Sequence, residues 1–310
     1  MNLSFDRFQL ALARLLLAAG LTGPAFSILA GLKAARSRLC GIDLLRAECR
    51  LRQALPFEAR EMIKEELRLH PSNEDALTML GNLEPLVSDG LEEPTTEFLE
   101  VLAKVEPYTM LSRRRLHALY QAAIDACERD EPGNFAECGV AGGGSSALLA
   151  YVIKNHSKRK RRLYSFDTFE GMPEPTAADT FGGVDARRSG WADGTCAAPM
   201  ESVLRAAVEL GAEDVILPVK GLFADTLPRM RSEMGPLCLL HLDGDWYEST
   251  KDILDNLFDQ VVPEGYLQVD DYGHWDGCRK AVHEFEKGRA LTFSVNPIDA
   301  TGVWFRKPVA

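Results

Sequence analysis

The sequence predicts an α/β chain in which a doubly wound, mostly parallel sheet ends in an antiparallel hairpin and follows an α-helical N-terminal region. Three observations carry that expectation. Residues 8–80 hold apolar positions at helical spacing and show no strand pattern. From residue 134, short β-rich runs alternate with helical stretches, which implies parallel pairing through right-handed crossovers. At the C-terminus two strand-like runs follow one another with no helix between them, so they should pair antiparallel.

Residues 9–32 are rich in Leu and Ala but are interrupted by Arg14 and Pro24. A membrane-spanning helix needs about 20 apolar residues without a charge inside. Asp6 followed by Arg7 is a poor leader for a signal peptide, so a pair of core helices is expected. From Glu58 to His70, the residues Ala59, Met62, Ile63 and Leu67 form one helical stripe. His70-Pro71-Ser72-Asn73 then stops that helix and caps the next, which ends at Gly81. This order is similar to a fragment of a tetratricopeptide repeat, with a related helix near 25–36; a plain helical cap fits the same residues. The run 84–96 accumulates Pro, Gly, Ser and Glu and reads as a linker, dividing a helical region, 1–90, from the remainder, 91–310.

The remainder opens with a helix between Ser112 and Glu128, ended by Pro132-Gly133. Strands are expected at 134–140, 163–167, 214–219, 237–243 and 266–271, with helices near 144–155, 200–210, 224–234, 247–260 and 276–287. The terminal hairpin should use 291–296 and 302–306, separated by Pro297, Asp299 and Gly302.

With 310 residues, 46% hydrophobic and 26% charged, the chain can bury a full core, which excludes wholesale disorder. The net charge of -11 argues against general nucleic-acid binding, which needs a basic footprint. Residues 1–90 hold 11 basic and 11 acidic side chains, so the whole excess of acid lies in 91–310. The basic run Lys158–Arg162 sits between a helix and a strand, where a solvated connection is expected. Seven scattered cysteines without a C-x-x-C pair suggest buried thiols of a reduced, cytoplasmic protein.

Ligands of open α/β sheets bind outside the carboxyl ends of the strands, so the candidate site residues lie at those ends. The first strand runs into Glu137-Cys138-Gly139-Val140-Ala141-Gly142-Gly143-Gly144-Ser145-Ser146. The glycines permit close backbone approach, and Glu137 suits a cationic ammonium or sulfonium group better than a pyrophosphate. The second strand ends at Asp167, placed to accept hydrogen bonds from ribose hydroxyls, and Phe169 follows as a cover for adenosine. Lys220-Gly221 after the third strand either touches the adenine or simply turns the chain, and Trp191 lies in a Gly/Asp-rich loop that could cover the site. The fourth and fifth strands end in His241-Leu242-Asp243-Gly244-Asp245 and Asp270-Asp271-Tyr272-Gly273-His274. Carboxylates gathered at one rim repel, and a hard cation such as Mg²⁺ resolves that repulsion.

These residues together resemble the macrocin-type O-methyltransferases. The resemblance rests on Tyr108-Thr109-Met110 with Arg115-Leu116, on 132–140 (PGNFAECGV), on 165–173 (SFDTFEGMP) and on 221–228 (GLFADTLP). Leu242-Asp243-Gly244-Asp245, Asp270-Asp271-Tyr272-Gly273 and Cys278-Arg279-Lys280-Ala281-Val282 complete it, over roughly 105–307. Ala141 stands where the family has a bulkier residue, and Gly265-Tyr266 where it often has paired glycines.

The resemblance implies a Rossmann-like class I methyltransferase fold, S-adenosylmethionine as methyl donor, Mg²⁺, a small-molecule hydroxyl acceptor such as a sugar, and frequent homo-oligomers. It puts the metal on Asp243, Asp270 and Asp271. The cofactor is then expected on Glu137, Gly139, Gly143, Ser145, Asp167, Thr168, Phe169 and Gly221, with Asp243 as the base and His241 and His274 as alternatives. Neither nucleic acid nor membrane is expected as a partner, whereas residues 1–90 could dock a protein. The rival readings are a non-catalytic interaction protein with a degenerate cofactor domain, and an NAD-linked dehydrogenase. The absence of G-x-G-x-x-G and the terminal hairpin count against the dehydrogenase.

Overall fold

A computed structural model describes residues 3–34, 37, 39–52, 56–87, 94–189, 191 and 193–309. Five helices come first: α1 (Leu3–Ala18), α2 (Thr22–Ala34), α3 (Ile42–Arg52), α4 (Pro56–Leu69) and α5 (Glu74–Val87). Then follow α6 (Thr96–Val105), α7 (Arg113–Glu128), β1 (Asn134–Cys138), α8 (Gly144–His156) and β2 (Leu163–Asp167). A small excursion contains β3 (Thr180–Phe181), β4 (Val184–Asp185) and α9 (Ala186–Ser189). The chain continues with α10 (Met200–Val208), β5 (Ile216–Lys220), α11 (Phe223–Met234), β6 (Leu237–Leu242) and α12 (Tyr247–Leu257). It closes with β7 (Val261–Val269), α13 (Asp276–Gly288), β8 (Asn296–Pro297) and β9 (Val303–Arg306).

Two compact units result. One gathers residues 1–92 with 180–190 and 299–301; the other holds 93–179, 191–298 and 302–310. In the first, each of α1 to α5 packs on the next along the chain. The Leu/Ala-rich stretch breaks at Gly20, whose φ of +79° ends α1, and Leu10, Ala13, Leu17, Phe26 and Leu29 from the two helices are buried together. No helix among the described residues is long and apolar enough to cross a membrane. Ala59, Met62 and Ile63 are buried as the stripe requires, and Asn73 caps α5 by accepting from the Ala76 amide at 3.2 Å. Glu66 on α4 accepts from the backbone amides of Gly41, Asp43 and Leu44, satisfying the N-terminus of α3. The expected linker starts later than residue 84, because α5 runs on to Val87; its stretch 88–93 lies outside the described residues.

The second unit is a seven-stranded sheet in the order β5-β2-β1-β6-β7-β9-β8. The first five are parallel and β9 and β8 are antiparallel. The strands are short and apolar on both faces, as strands covered by helices on both sides must be; β6 is buried at every position. Helices α6, α7, α8 and α10 share one apolar cluster with β1, β2, β5 and β6, centred on Phe98, Leu116, Phe135, Leu148 and Val203. Thr95 and Ser112 start α6 and α7 by accepting from Phe98 and Arg115 amides. Helix α6 is an element the sequence reading did not anticipate.

Three expectations need correction. The expected strand 291–296 is reduced to Asn296–Pro297, paired antiparallel with Trp304 and Val303. The fifth parallel strand begins earlier, at Val261, and absorbs Pro263 in an irregular stretch where Glu264 takes a φ of +63°. The third strand begins at Ile216 rather than 214, after a 3₁₀ turn over Glu213–Val215. The hairpin β3–β4 was not foreseen, since two-residue strands leave no periodicity to read.

Strand order reverses at β1, whose neighbours β2 and β6 belong to opposite halves of the winding. A crevice outside the carboxyl ends of β1 and β6 is therefore the place for a ligand.

Candidate active site

At that crevice the loop after β1 is held from three sides. Gly139 has a φ of +90°, and a Cβ there would overlap the main chain of Asp243. Gly143 has a φ of +95°, and a Cβ there would lie 2.5 Å from Val203 Cα on α10. Glycine is needed at both positions because protein backbone, rather than open space, occupies the Cβ site. Gly143 precedes α8, so Ser145 sits in the first turn of that helix, where backbone amides lack helical acceptors.

Asp167 at the end of β2 braces the same loop. Its Oδ2 accepts from the amides of Val140 and Ala141 at 2.7 and 3.0 Å, and Oδ1 accepts from Phe169 at 2.7 Å. The Thr168 hydroxyl donates to Gly171 O at 2.6 Å, and the Gly221 amide donates to Asp167 O at 2.9 Å. The end of β5 is thereby joined to β2 and the β1 loop.

Two expected cofactor residues face inward. Glu137 is fully buried, its carboxylate accepting from Ser146 and lying 2.9 Å from His241 Nδ1, so it does not line the loop's open side. Phe169, expected as a cover for adenosine, is packed in the main apolar cluster with 8% exposure. The causes differ: Glu137 lies within β1 and is taken up by Ser146 and His241, whereas Phe169 follows β2 with a φ of +55° and packs into the apolar cluster.

The carboxylate rim differs from the expected trio. Asp243, Asp245 and Asp271 bring ligand oxygens within 4.8 Å of one another. Asp270 turns instead to an ion pair with Arg115 from α7, and its other oxygen lies 3.8 Å from His241 Nε2. The guanidinium compensates a charge that is 2% exposed, and Asp270 does not join the three carboxylates that meet within 4.8 Å. Asp245 joins because the Asp243–Trp246 segment turns tightly: Asp245 has a φ of +56° and the Trp246 amide donates to Gly244 O at 2.6 Å. Trp275 Nε1 donates to Asp245 Oδ1 at 3.1 Å, and Trp275 packs edge-on against Trp246 at 4.8 Å. Two aromatic rings thus hold Asp245 in its left-handed conformation. Asp243 is fixed by its own amide, which donates to Cys138 O at 2.8 Å.

The electrostatics follow from this crowding. Burial first, then the charges of Asp270 and Asp271, push the Asp243 carboxyl well above its ordinary range; burial and Asp271 do the same to Asp245. Burial and Asp270 raise Asp271 to about 7. Asp271 Oδ2 is buried without a hydrogen-bond partner among the described residues, as is Asp270 Oδ1. Burial alone would lower His241, but hydrogen bonds and charges from Asp270 and Glu137 raise it to about 9. His274 is lowered to about 4 by burial and Arg115.

The family model for macrocin O-methyltransferases matches residues 103–307, two thirds of the chain. A tetracenomycin rhamnoside 4'-O-methyltransferase from Streptomyces olivaceus is 36% identical over 204 residues, covering 66% of this chain and 77% of its own. Mycinamicin III 3''-O-methyltransferase from Micromonospora griseorubida is 28% identical over 202 residues, covering 64% and 78%. The solved O-methyltransferase NovP superposes with a TM-score of 0.59 at 30% identity, over 65% of this chain and 83% of its own. The family-model match leaves residues 1–102 aside. The strand order, the loop after β1 and the acidic strand ends thus belong to a chain that is a member of the macrocin O-methyltransferase family, an S-adenosylmethionine-dependent O-methyltransferase of the class I fold.

Proposed function

We propose that this enzyme transfers the methyl group to a sugar hydroxyl of a glycosylated natural product, with Mg²⁺ held at the carboxylate rim. The observation that carries the reading is the convergence of Asp243, Asp245 and Asp271 beside the β1 loop. The residues fit a small hard cation: all donors are oxygens, their mutual repulsion outweighs the relief from Arg115, and one buried oxygen of Asp271 lacks a partner among the described residues. The family resemblance named Asp270 in this set, and the geometry favours Asp245 in its place.

Bound Mg²⁺ would polarise the acceptor hydroxyl and lower its pKa. Bound S-adenosylmethionine would supply an electrophilic methyl on a sulfonium, with the thioether as leaving group. The chain's own residues do the rest. Asp243 takes the hydroxyl proton: it stands at the switch point, between the β1 loop and the rim, and its second oxygen stays available when the first is a ligand. His241 is excluded from direct contact by its complete burial, and His274 is too weak a base at about 4 to match it. Asp167, Gly139, Gly143, Ser145, Thr168 and Gly221 shape the donor's side, with Asp167 keeping lone-pair capacity for ribose hydroxyls. We place the enzyme in the cytoplasm, as a homo-oligomer.

Asp167→Asn removes the charge that three backbone amides share, and should weaken S-adenosylhomocysteine binding by about tenfold to a hundredfold in calorimetric titration. The rim makes a second expectation. Carboxylates with raised pKa hold protons that a cation must displace; Asp271, raised to about 7, is protonated below that pH and charged above it, and Asp243 and Asp245 are shifted in the same direction. Charging them without a cation destabilises the fold as pH rises; Mg²⁺ should therefore raise the melting temperature more at about pH 8 than at about pH 6. An equal or larger shift at the lower pH would speak against ligation by these groups. The acceptor class is tested with the hydroxyl compound of the 36%-identical relative, the 2,3-dimethoxy-rhamnosyl tetracenomycin C, beside simple rhamnosides and catechols. Methylation of catechols with none of the glycosides would refute the sugar assignment.

A further inference from the structure

Within the helical unit, Cys40, Glu66 and His70 bring a thiol sulfur, a carboxylate oxygen and a ring nitrogen within 4.8 Å of one another. Local structure explains the meeting. Glu66 lies in the last turn of α4 and His70 follows its end; the His70 amide still donates to Glu66 O at 2.7 Å, so the two residues share one face of that turn. Cys40 arrives from the chain before α3. Gly41, with a φ of +94°, turns the backbone there, and its amide donates to Glu66 Oε1 at 2.7 Å. The carboxylate is thereby fixed in advance: Glu66 is 1% exposed, and the amides of Asp43 and Leu44 donate to its Oε2 at 3.1 and 3.3 Å.

Cys40 is the exposed member of the seven cysteines, five of which are buried while Cys196 is half-buried. The Cys40 thiol donates to Glu66 Oε1 at 3.4 Å. With zinc–sulfur near ~2.3 Å and zinc–oxygen near ~2.0–2.2 Å, the sulfur–oxygen edge of a tetrahedral zinc site is about 3.5 Å, so these two ligands already have the required spacing. His70 Nε2 is buried without a hydrogen-bond partner among the described residues. A buried imidazole nitrogen left orphaned in this way calls for a ligand. Asn73 completes the surroundings. Its Oδ1 accepts from the Ala76 amide at 3.2 Å, which orients Nδ2 to donate to Cys40 Sγ at 3.4 Å and to Glu66 Oε1 at 2.8 Å. An N–H aimed at the sulfur steadies a thiolate, as the outer partners of metal ligands do.

We propose that Cys40, Glu66 and His70 form a zinc site whose fourth position is taken by water, reached from solvent on the Cys40 side. Zinc rather than magnesium follows from the donor set, because sulfur and nitrogen suit a borderline-soft cation and a hard one avoids them. On binding, the Cys40 thiol gives its proton to bulk water and the thiolate takes the metal, which replaces that proton beside Glu66 Oε1. Charge balances, with two positive charges against one thiolate and one carboxylate. The metal would tie the start of α3 to the end of α4 and, through Asn73, to the start of α5. The site lies wholly within the helical unit and is independent of the methyl-transfer reading.

The test uses the full chain, reduced and stripped of metal with a chelator, and Co²⁺ as a spectroscopic stand-in for zinc. Co²⁺ should produce a thiolate-to-metal charge-transfer band that Zn²⁺ erases and excess Mg²⁺ does not. Cys40→Ser should abolish the band; the side chain is exposed and a hydroxyl can replace the thiol's bond to Glu66, so the fold survives. His70→Gln should weaken Co²⁺ binding by about a hundredfold, more than the loss of an outer partner would. Asp271→Asn should leave the band as in wild type, which separates this site from the carboxylate rim. Zinc should also slow deuterium exchange across 41–52 about tenfold in wild type and leave it unchanged in Cys40→Ser. A wild-type chain without the band would overturn the proposal, and so would a band that survives Cys40→Ser or disappears in Asp271→Asn. Undiminished Co²⁺ affinity in His70→Gln would overturn it too. No methyl acceptor or donor enters these measurements, so a failure of the proposed function would be seen separately, as absent turnover.

Discussion

Asp243→Asn is expected to lower kcat by about three orders of magnitude or more, the combined loss of a positioned base and a cation ligand. The substitution keeps volume and shape, so the main-chain bond to Cys138 O and the approach of Gly139 survive. What changes is charge. Asp243 carries a carboxyl pushed well above its ordinary range by burial and by Asp270 and Asp271, so its ionised form is disfavoured without a cation. A neutral amide relieves that repulsion, and the melting temperature of the variant in EDTA should equal or exceed that of wild type. S-adenosylhomocysteine binding should be nearly unchanged. Loss of turnover with undiminished stability separates a chemical role from a folding defect. Turnover within about tenfold of wild type would remove Asp243 from the chemistry.

The second large effect falls on stability. Gly139→Ala should cost about 3–5 kcal/mol in urea unfolding, from a backbone conformation L-residues avoid and from steric overlap. The φ of +90° alone accounts for the smaller part. The larger part comes from the Asp243 carbonyl, which occupies the place of the new Cβ and cannot yield without releasing its strand end. The two loops that cross here carry the donor's side and the rim, so any relaxation displaces both. A stability loss below about 1 kcal/mol, with donor affinity unchanged, would show that this crossing yields to a Cβ.

How much of this was legible in the sequence depended on the range of the interaction involved. The alternation of strands with helices announced the parallel sheet, and Ser112, Asn73 and Pro132-Gly133 marked their helix ends through purely local chemistry. The acidic strand ends were legible too, because the carboxyl ends of parallel strands share one edge. Which three carboxylates meet was not. Asp270 is claimed by Arg115, 155 positions earlier, and no spacing rule reports a partner on another helix. Asp245 had a local signal, the Asp-Gly-Asp turn, whose tightness places it beside Asp243. Glu137 and Phe169 were assigned to the ligand by position, whereas side-chain direction at a strand end decides between interior and crevice. The excursion 180–190 was opaque for a different reason: its strands span two residues each, and its packing partners lie more than a hundred residues upstream.

The central claim is that Asp243, Asp245 and Asp271 form one cation site on which methyl transfer depends. Mn²⁺ titration followed by electron paramagnetic resonance, on chelator-stripped enzyme, tests it most directly. The account predicts one tightly held Mn²⁺ per chain, affinity that falls as pH drops below the Asp271 value of about 7, and loss of that site in Asp271→Asn and Asp245→Asn. Full turnover in EDTA, with no bound Mn²⁺ in the wild-type chain, would contradict it.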